Sequence, residues 1–182
     1  SLFSIFILTA IINLNIAEES KLKLNLFISF VLILFIGFRH KVGGDWQIYM
    51  ENFENYLKYF DLNSFSYFHD FGFDLVSKMS EYFGLGIYGV NIFCAVIFVI
   101  ALFKLSQNLG NISIFYIVAF PYLITVVAMG YTRQGTALAF AIFAYLSIGN
   151  KKLFLFLIFS ILGILFHKSV AIFILLLAVS YL

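Results

Sequence analysis

The apolar run Leu24–Phe38 (LNLFISFVLILFIGF) stops abruptly at Arg39-His40-Lys41-Val42-Gly43-Gly44-Asp45-Trp46. Three side chains able to carry positive charge come first, and a glycine pair, a carboxylate and an aromatic ring follow. Charged groups are costly inside the apolar part of a bilayer. This stretch therefore predicts a membrane protein in which the polar cluster lies at the membrane edge or in a polar cavity.

The composition of the whole chain supports the same class. The 182 residues are 63% hydrophobic and only 11% charged, whereas about a quarter of the residues in soluble domains are charged. A net charge of +2 gives no basic footprint, so no nucleic-acid partner is predicted. Cys94 is the single cysteine, which excludes a disulfide within the chain. No Cys/His metal spacing occurs, so we predict neither a metal nor another cofactor.

The apolar residues come in long runs, which predict an all-α polytopic transmembrane protein with about six to seven spans. The runs are residues 2–16, 24–38, 86–103, 112–130, 133–148, 153–166 and 170–182. Pro121 predicts a kink in the fourth run. The last two runs fall short of the roughly 20 residues that a span needs, so they form either two short helices meeting at His167 or one broken helix. Because the chain begins and ends inside apolar runs, we expect residues 1–182 to be a single membrane domain cut from a longer protein.

The connectors between runs predict the orientation. The short connectors 17–23, 104–111 and 149–152 hold five lysines, while the short connectors on the other side hold Arg133 and Lys168. The positive-inside rule places the lysine-rich side in the cytoplasm. Arg39, Arg133 and His167 then share the extracytoplasmic face, where they can converge on one site.

Residues 39–85 are predicted to form an extracytoplasmic insert of two amphipathic helices. Aromatic and apolar residues recur at helical spacing in two stripes, which lie on either side of a break at 61–66. The stripes are Trp46, Tyr49, Phe53, Leu57 and Phe60, and then Phe73, Val76, Met79 and Phe83. Such helices either lie at the membrane surface or cap a cavity.

The first polar cluster has both chemical and structural interpretations. Arg39 and Lys41 can contact phosphate, or they can be interfacial anchors. The Gly43-Gly44 pair either forms a simple turn or lets backbone N–H groups approach an anion. Asp45 is a candidate base, and it is also suited to cap the helix that begins at Trp46.

The later polar residues are open to the same two interpretations. Arg133 lies among small residues and suits bidentate contact with phosphate, although it can also be an interfacial anchor. His167 is a candidate general base or a structural histidine, and Lys168 is a candidate pyrophosphate contact. Asp70 either binds an acceptor sugar hydroxyl, assists a base or caps the following helix.

Four motifs in order along the chain resemble the EpsG family of bacterial exopolysaccharide and capsule clusters, which is related to Wzy-type repeat-unit polymerases. They are Arg39 with Val42-Gly43-Gly44-Asp45 and Tyr49, then Asp70-Phe71-Gly72-Phe73, Arg133-Gln134-Gly135 with Ala137, and Phe166-His167-Lys168-Ser169. The chain departs from the family pattern at Gly44 in place of Thr, Asp70 in place of Glu and Phe71 in place of Pro.

The resemblance implies glycosyl transfer from an oligosaccharide on undecaprenyl pyrophosphate to a second lipid-linked unit, in exopolysaccharide, capsule or O-antigen biosynthesis. His167 is the first candidate base and Asp45 the second. The predicted pyrophosphate and substrate contacts are Arg133, Arg39, Lys168, Lys41, Asp70 and Gln134. The location implied is the bacterial inner membrane, with the site on the extracytoplasmic face and with a flippase and a chain-length regulator as candidate partners. A transporter of lipid-linked sugar and a membrane acyltransferase or ligase stay open as alternatives.

Overall fold

A computed structural model of the chain describes residue 4 and residues 18–59, 70–108 and 112–181. These residues form helices and short connections, and no strand occurs among them, so the all-α fold class is confirmed. The helices are α1 (Glu18–Gly37), α2 (Trp46–Tyr59), α3 (Phe71–Tyr82), α4 (Gly86–Asn108), α5 (Ile112–Ala119), α6 (Thr132–Gly149), α7 (Leu153–Phe166) and α8 (Val170–Tyr181). A π-helical segment, Phe120–Ala128, continues directly from α5. The predicted first run, residues 2–16, lies outside the described ranges apart from residue 4.

The number of spans differs from the prediction. In the described ranges, Glu19–Gly37 and Gly86–Asn108 are long and apolar enough to cross a membrane. Three shorter apolar helices accompany them, at Ile114–Ala128, Leu153–Phe166 and Val170–Val179. The predicted six to seven spans are therefore not confirmed. The last two apolar runs form separate helices, because α7 ends at Phe166 and α8 begins at Val170.

Helices α4 and α6 lie at the centre of the bundle and contribute to both apolar clusters. One cluster joins them to α1, α5 and the π-helical segment, and the other joins them to α2, α3, α7 and α8. The buried face of α6 is rich in small residues, which include Gly135, Ala137, Ala139, Ala141 and Ala144. Small residues let helix backbones approach closely, which is how helices pack where lipid is as apolar as the protein interior.

Both predicted helices of the 39–85 segment are present, but they differ in how much of the predicted apolar stripe is buried. In α2, Trp46, Tyr49 and Phe53 of the predicted stripe are buried. The rest of that stripe and the predicted break at 61–66 lie outside what the structure describes, namely the Leu57 side chain, Phe60 and residues 61–66. In α3, Phe73 is buried, whereas Met79 is 54% exposed and Phe83 is 65% exposed.

The buried residues of α3 are Gly72, Phe73, Asp74, Ser77 and Ser80, so three of the five are small. This face packs against α4 and α7. Close backbone approach through these small residues is therefore what distinguishes the inward face of α3.

The helix changes type next to Pro121, where the sequence predicts a kink. Proline cannot donate a backbone hydrogen bond, and its ring crowds the carbonyl of the preceding turn. The helix continues from Phe120 as a π-helix. The Thr125 hydroxyl donates to the Pro121 carbonyl at 2.6 Å. The segment runs to Ala128, two residues before the connection to α6.

Candidate functional site

Asp70, Arg133 and His167 form a cluster at one end of the helix bundle. Arg133 Nη1 donates to Asp70 Oδ2 at 3.0 Å. His167 Nδ1 lies 3.4 Å from the same oxygen. Asp70 directly precedes α3, Arg133 lies in the first turn of α6, and His167 directly follows α7. Three polar stretches that are far apart in sequence therefore meet at one carboxylate, which we call the Asp70 cluster.

The side chain of Asp70 does not cap α3. It makes no capping hydrogen bond, although the residue occupies the N-cap position. Only its backbone carbonyl joins the helix, where it accepts from the Phe73 N–H at 2.9 Å. The Asp70 side chain is 9% exposed, and that of Arg133 is 27% exposed. A carboxylate buried to this degree needs a partner, and Arg133 supplies the opposite charge.

Gly72 explains how Asp70 comes so close to His167. A Cβ at Gly72 would lie 2.7 Å from Phe166 Cδ2 and 3.2 Å from the carbonyl carbon of Leu165. The start of α3 is therefore in direct contact with the end of α7. Because Asp70 is two residues before Gly72 and His167 is one residue after Phe166, this contact brings the two polar side chains together.

The Arg39 side chain is buried and bonds to groups inside the protein. It is 4% exposed. Its Nη1 donates to the carbonyls of Ala128, at 3.2 Å, and Met129, and its Nη2 donates to Asn91 Oδ1, at 3.3 Å, and to Thr132 Oγ1. Carbonyls at a helix C-terminus have no partner within the helix, and Arg39 satisfies two of them. It thereby holds the end of the π-helical segment to the start of α6, one residue before Arg133. A surface anchor would have its charge in water, so that interpretation of Arg39 is wrong.

The two glycines of the loop at residues 38–45, which we call the Arg39 loop, have unequal environments. Gly43 has a φ of +96°, and a Cβ there would lie 2.6 Å from the Met129 carbonyl oxygen and 2.7 Å from Gly130 Cα. At Gly44, nothing lies within 4 Å of an added Cβ. Gly43 therefore packs this loop onto the connection between the π-helical segment and α6.

We expect Gly43→Ala to destabilise the protein by about 1–3 kcal/mol, because it combines backbone strain with a steric clash. Gly44→Ala is the matched control and should change stability by less than about 0.5 kcal/mol. The thermal unfolding midpoint of the detergent-solubilised variants measures both. Equal midpoints for the two variants would contradict the packing role of Gly43.

Two aromatic rings lie against Arg133. Its Cζ is 5.2 Å from the centroid of the Tyr49 ring and 5.9 Å from that of Phe73. The Tyr49 hydroxyl donates to Asp45 Oδ2 at 3.2 Å. Burial raises the pKa of the Tyr49 phenol, so it remains a protonated donor at neutral pH. The sequence places Tyr49 only in an apolar stripe and in a motif. Its i,i+4 spacing from Asp45 is the further signal that points to this contact.

The remaining predicted site residues are distributed around the Asp70 cluster. Lys41, Gln134 and Lys168 are exposed, and Lys168 directly follows His167. Asp45 is half-buried and accepts a hydrogen bond from Tyr49, whose ring lies against Arg133. In the part of the chain that the structure describes, no group of three or more His, Cys, Asp or Glu side chains is arranged to hold a metal ion.

A family model described as the EpsG family matches residues 22–182. The matched range contains all the motifs and every member of the Asp70 cluster. No curated protein and no solved structure matches the chain.

Proposed function

Since the chain belongs to the EpsG family, we propose that it is a membrane polymerase of oligosaccharide repeat units. The observation that carries this proposal is the meeting of Arg133 and His167 at one Asp70 oxygen, at 3.0 and 3.4 Å. A cation and an imidazole within reach of each other are what glycosyl transfer from a pyrophosphate donor needs. We propose an undecaprenyl-pyrophosphate oligosaccharide as donor and a second lipid-linked unit as acceptor.

His167 acts as the general base in this proposal. With Nδ1 facing the Asp70 carboxylate, the favoured neutral tautomer carries its proton on Nδ1 and accepts through Nε2. Asp70 then orients the imidazole and stabilises the imidazolium as it forms. Nε2 takes the proton of the acceptor hydroxyl while the acceptor oxygen bonds to the anomeric carbon of the donor sugar.

Arg133 stabilises the leaving group. The bond between the anomeric carbon and the pyrophosphate oxygen breaks, and negative charge develops on the departing polyprenyl pyrophosphate. The Arg133 side chain is 27% exposed, so an anion can reach it, and a guanidinium suits bidentate contact with phosphate. Lys168 adds a second cation next to His167. The start of α6 adds backbone N–H groups and the positive end of a helix dipole.

The polyprenyl chains lie against the apolar outer surface of the bundle. Large apolar side chains are exposed along α7 and α8, and these include Leu157, Ile161, Ile172 and Leu175, each at least 57% exposed. The lysine-rich connectors in the cytoplasm would place the Asp70 cluster on the extracytoplasmic face of the bacterial inner membrane. A flippase that delivers the donor and a chain-length regulator are the candidate partners of such a reaction.

We expect His167→Gln to slow chain growth by about 10²–10⁴-fold, the usual contribution of a general base. His40→Gln is the matched control, because His40 bonds the Tyr88 hydroxyl at 2.7 Å, stacks on the Tyr88 ring and meets Trp46 edge-on. Surface polysaccharide from cells that carry each variant is separated on a gel. The His40 variant should keep the long ladder, and the His167 variant should show single repeat units.

Other results on the same gel would contradict the proposal. Loss of the single repeat units as well as of the ladder would favour transport of the lipid-linked sugar. An unchanged ladder that lacks an acyl substituent would favour the acyltransferase alternative. A normal ladder from the His167 variant would remove this residue from the mechanism.

A further inference from the structure

Tyr49 lies between the Arg39 loop and the Asp70 cluster. It is 2% exposed and occupies the first turn of α2. Its hydroxyl bonds Asp45 one turn earlier, at 3.2 Å. Its ring faces the Arg133 guanidinium, with 5.2 Å from Cζ to the ring centroid. A cation within about 6 Å of an aromatic centroid is attracted to the face of the ring.

Phe73 supports the same guanidinium from a different helix. Its ring centroid is 5.9 Å from Arg133 Cζ and 5.4 Å from the centroid of Tyr49. Arg133 is thus held by two rings and, through Nη1, by the Asp70 carboxylate. A planar guanidinium held by rings and by a carboxylate has a restricted orientation. A flexible ammonium would gain much less from such supports.

We propose that Tyr49 is a positioning residue that fixes the plane of the Arg133 guanidinium for contact with the pyrophosphate of the lipid-linked donor. The Tyr49 hydroxyl also donates to Asp45 at 3.2 Å, but the ring itself is the group that supports the guanidinium. The inference rests on the proposed role of Arg133 in binding pyrophosphate.

The test measures the affinity of purified, detergent-solubilised protein for geranylgeranyl pyrophosphate as the probe. Tyr49→Leu should weaken binding by about tenfold, because the cation–ring attraction and the orientation are lost. Tyr49→Phe retains the ring and should bind within about threefold of the unmodified protein. Phe73→Leu leaves Tyr49 in place and should weaken binding by roughly two- to fivefold. Phe73→Leu therefore keeps the test informative even if Tyr49→Leu does not fold.

A double-mutant cycle with Arg133→Lys separates positioning from general structural support. If Tyr49 acts through the guanidinium plane, Tyr49→Leu should change affinity less than about threefold when residue 133 is lysine. An undiminished tenfold loss in that background would overturn the inference. Equal losses in Tyr49→Phe and Tyr49→Leu would also overturn it, as would absence of probe binding by the unmodified protein.

The polysaccharide gel separates this inference from the proposed function. If the unmodified protein binds the probe with the expected dependence on Tyr49 but cells lacking the protein still form the ladder, the polymerase proposal fails and the positioning role stands. If the ladder depends on the protein but affinity is indifferent to Tyr49 and Phe73, the positioning role fails and the polymerase proposal stands.

Discussion

Replacing Arg133 with methionine is expected to lower chain growth by about 10²–10³-fold, the usual effect of removing a donor that stabilises developing negative charge. The change should also lower stability, because it leaves the Asp70 carboxylate, which is only 9% exposed, without its opposite charge. Chain growth is therefore compared per amount of folded protein. Methionine retains an unbranched apolar stem that can lie against the Tyr49 and Phe73 rings.

The measurement combines the polysaccharide ladder with the thermal midpoint of the purified protein. Arg133→Lys retains the charge without the planar fork, so it should recover only part of the chain growth. Lys104→Met is the control for removal of a positive charge, because Lys104 is an exposed residue near the C-terminal end of α4. A full ladder from Arg133→Met would eliminate this residue as the pyrophosphate contact.

Replacing Arg39 with methionine is expected mainly to reduce the amount of folded protein, rather than to slow chain growth directly. The change leaves the carbonyls of Ala128 and Met129 without the guanidinium that they bond. A buried polar group that loses its partner costs about 1–3 kcal/mol, so we expect a total of about 3 kcal/mol or more.

The yield of monodisperse protein after detergent extraction, together with its thermal midpoint, reports this loss. Arg39→Lys should restore only a small part of the stability, because one ammonium cannot bond all the acceptors that the two Nη atoms of the guanidinium reach. If Arg39→Met instead folds like the unmodified protein and loses only the ladder, Arg39 contacts substrate as the sequence predicted.

The helical nature of the chain, helices α2 and α3, and the break at His167 could all be predicted from local sequence. Each depends on apolar periodicity or on a short polar interruption. The partners of the polar side chains could not be predicted in this way. The contacts of Asp70 reach 63 residues to Arg133 and 97 residues to His167. A local pattern offers Asp70 a helix cap, and only the tertiary arrangement offers it a cation and an imidazole.

The fates of Arg39 and Met79 illustrate a second limit. A cation that follows an apolar run has the same sequence signature whether it reaches water or turns inward, and Arg39 turns inward because unpaired carbonyls at the end of the π-helical segment are within its reach. Met79 belongs to a regular stripe and is nevertheless 54% exposed. Apolar periodicity identifies the inward face of a helix reliably only when the outside is water.

The contact of Gly72 with Phe166 has a consequence for how members of this family diverge. A side chain at position 72 would collide with Phe166, so the two positions are expected to change together, with a smaller residue at 166 wherever 72 is larger than glycine. A chimera that exchanges residues 39–85 between two such proteins should work only if residue 166 comes from the same parent. Residues 39–85 and the end of α7 would then have to be exchanged together, although 80 residues of chain separate them.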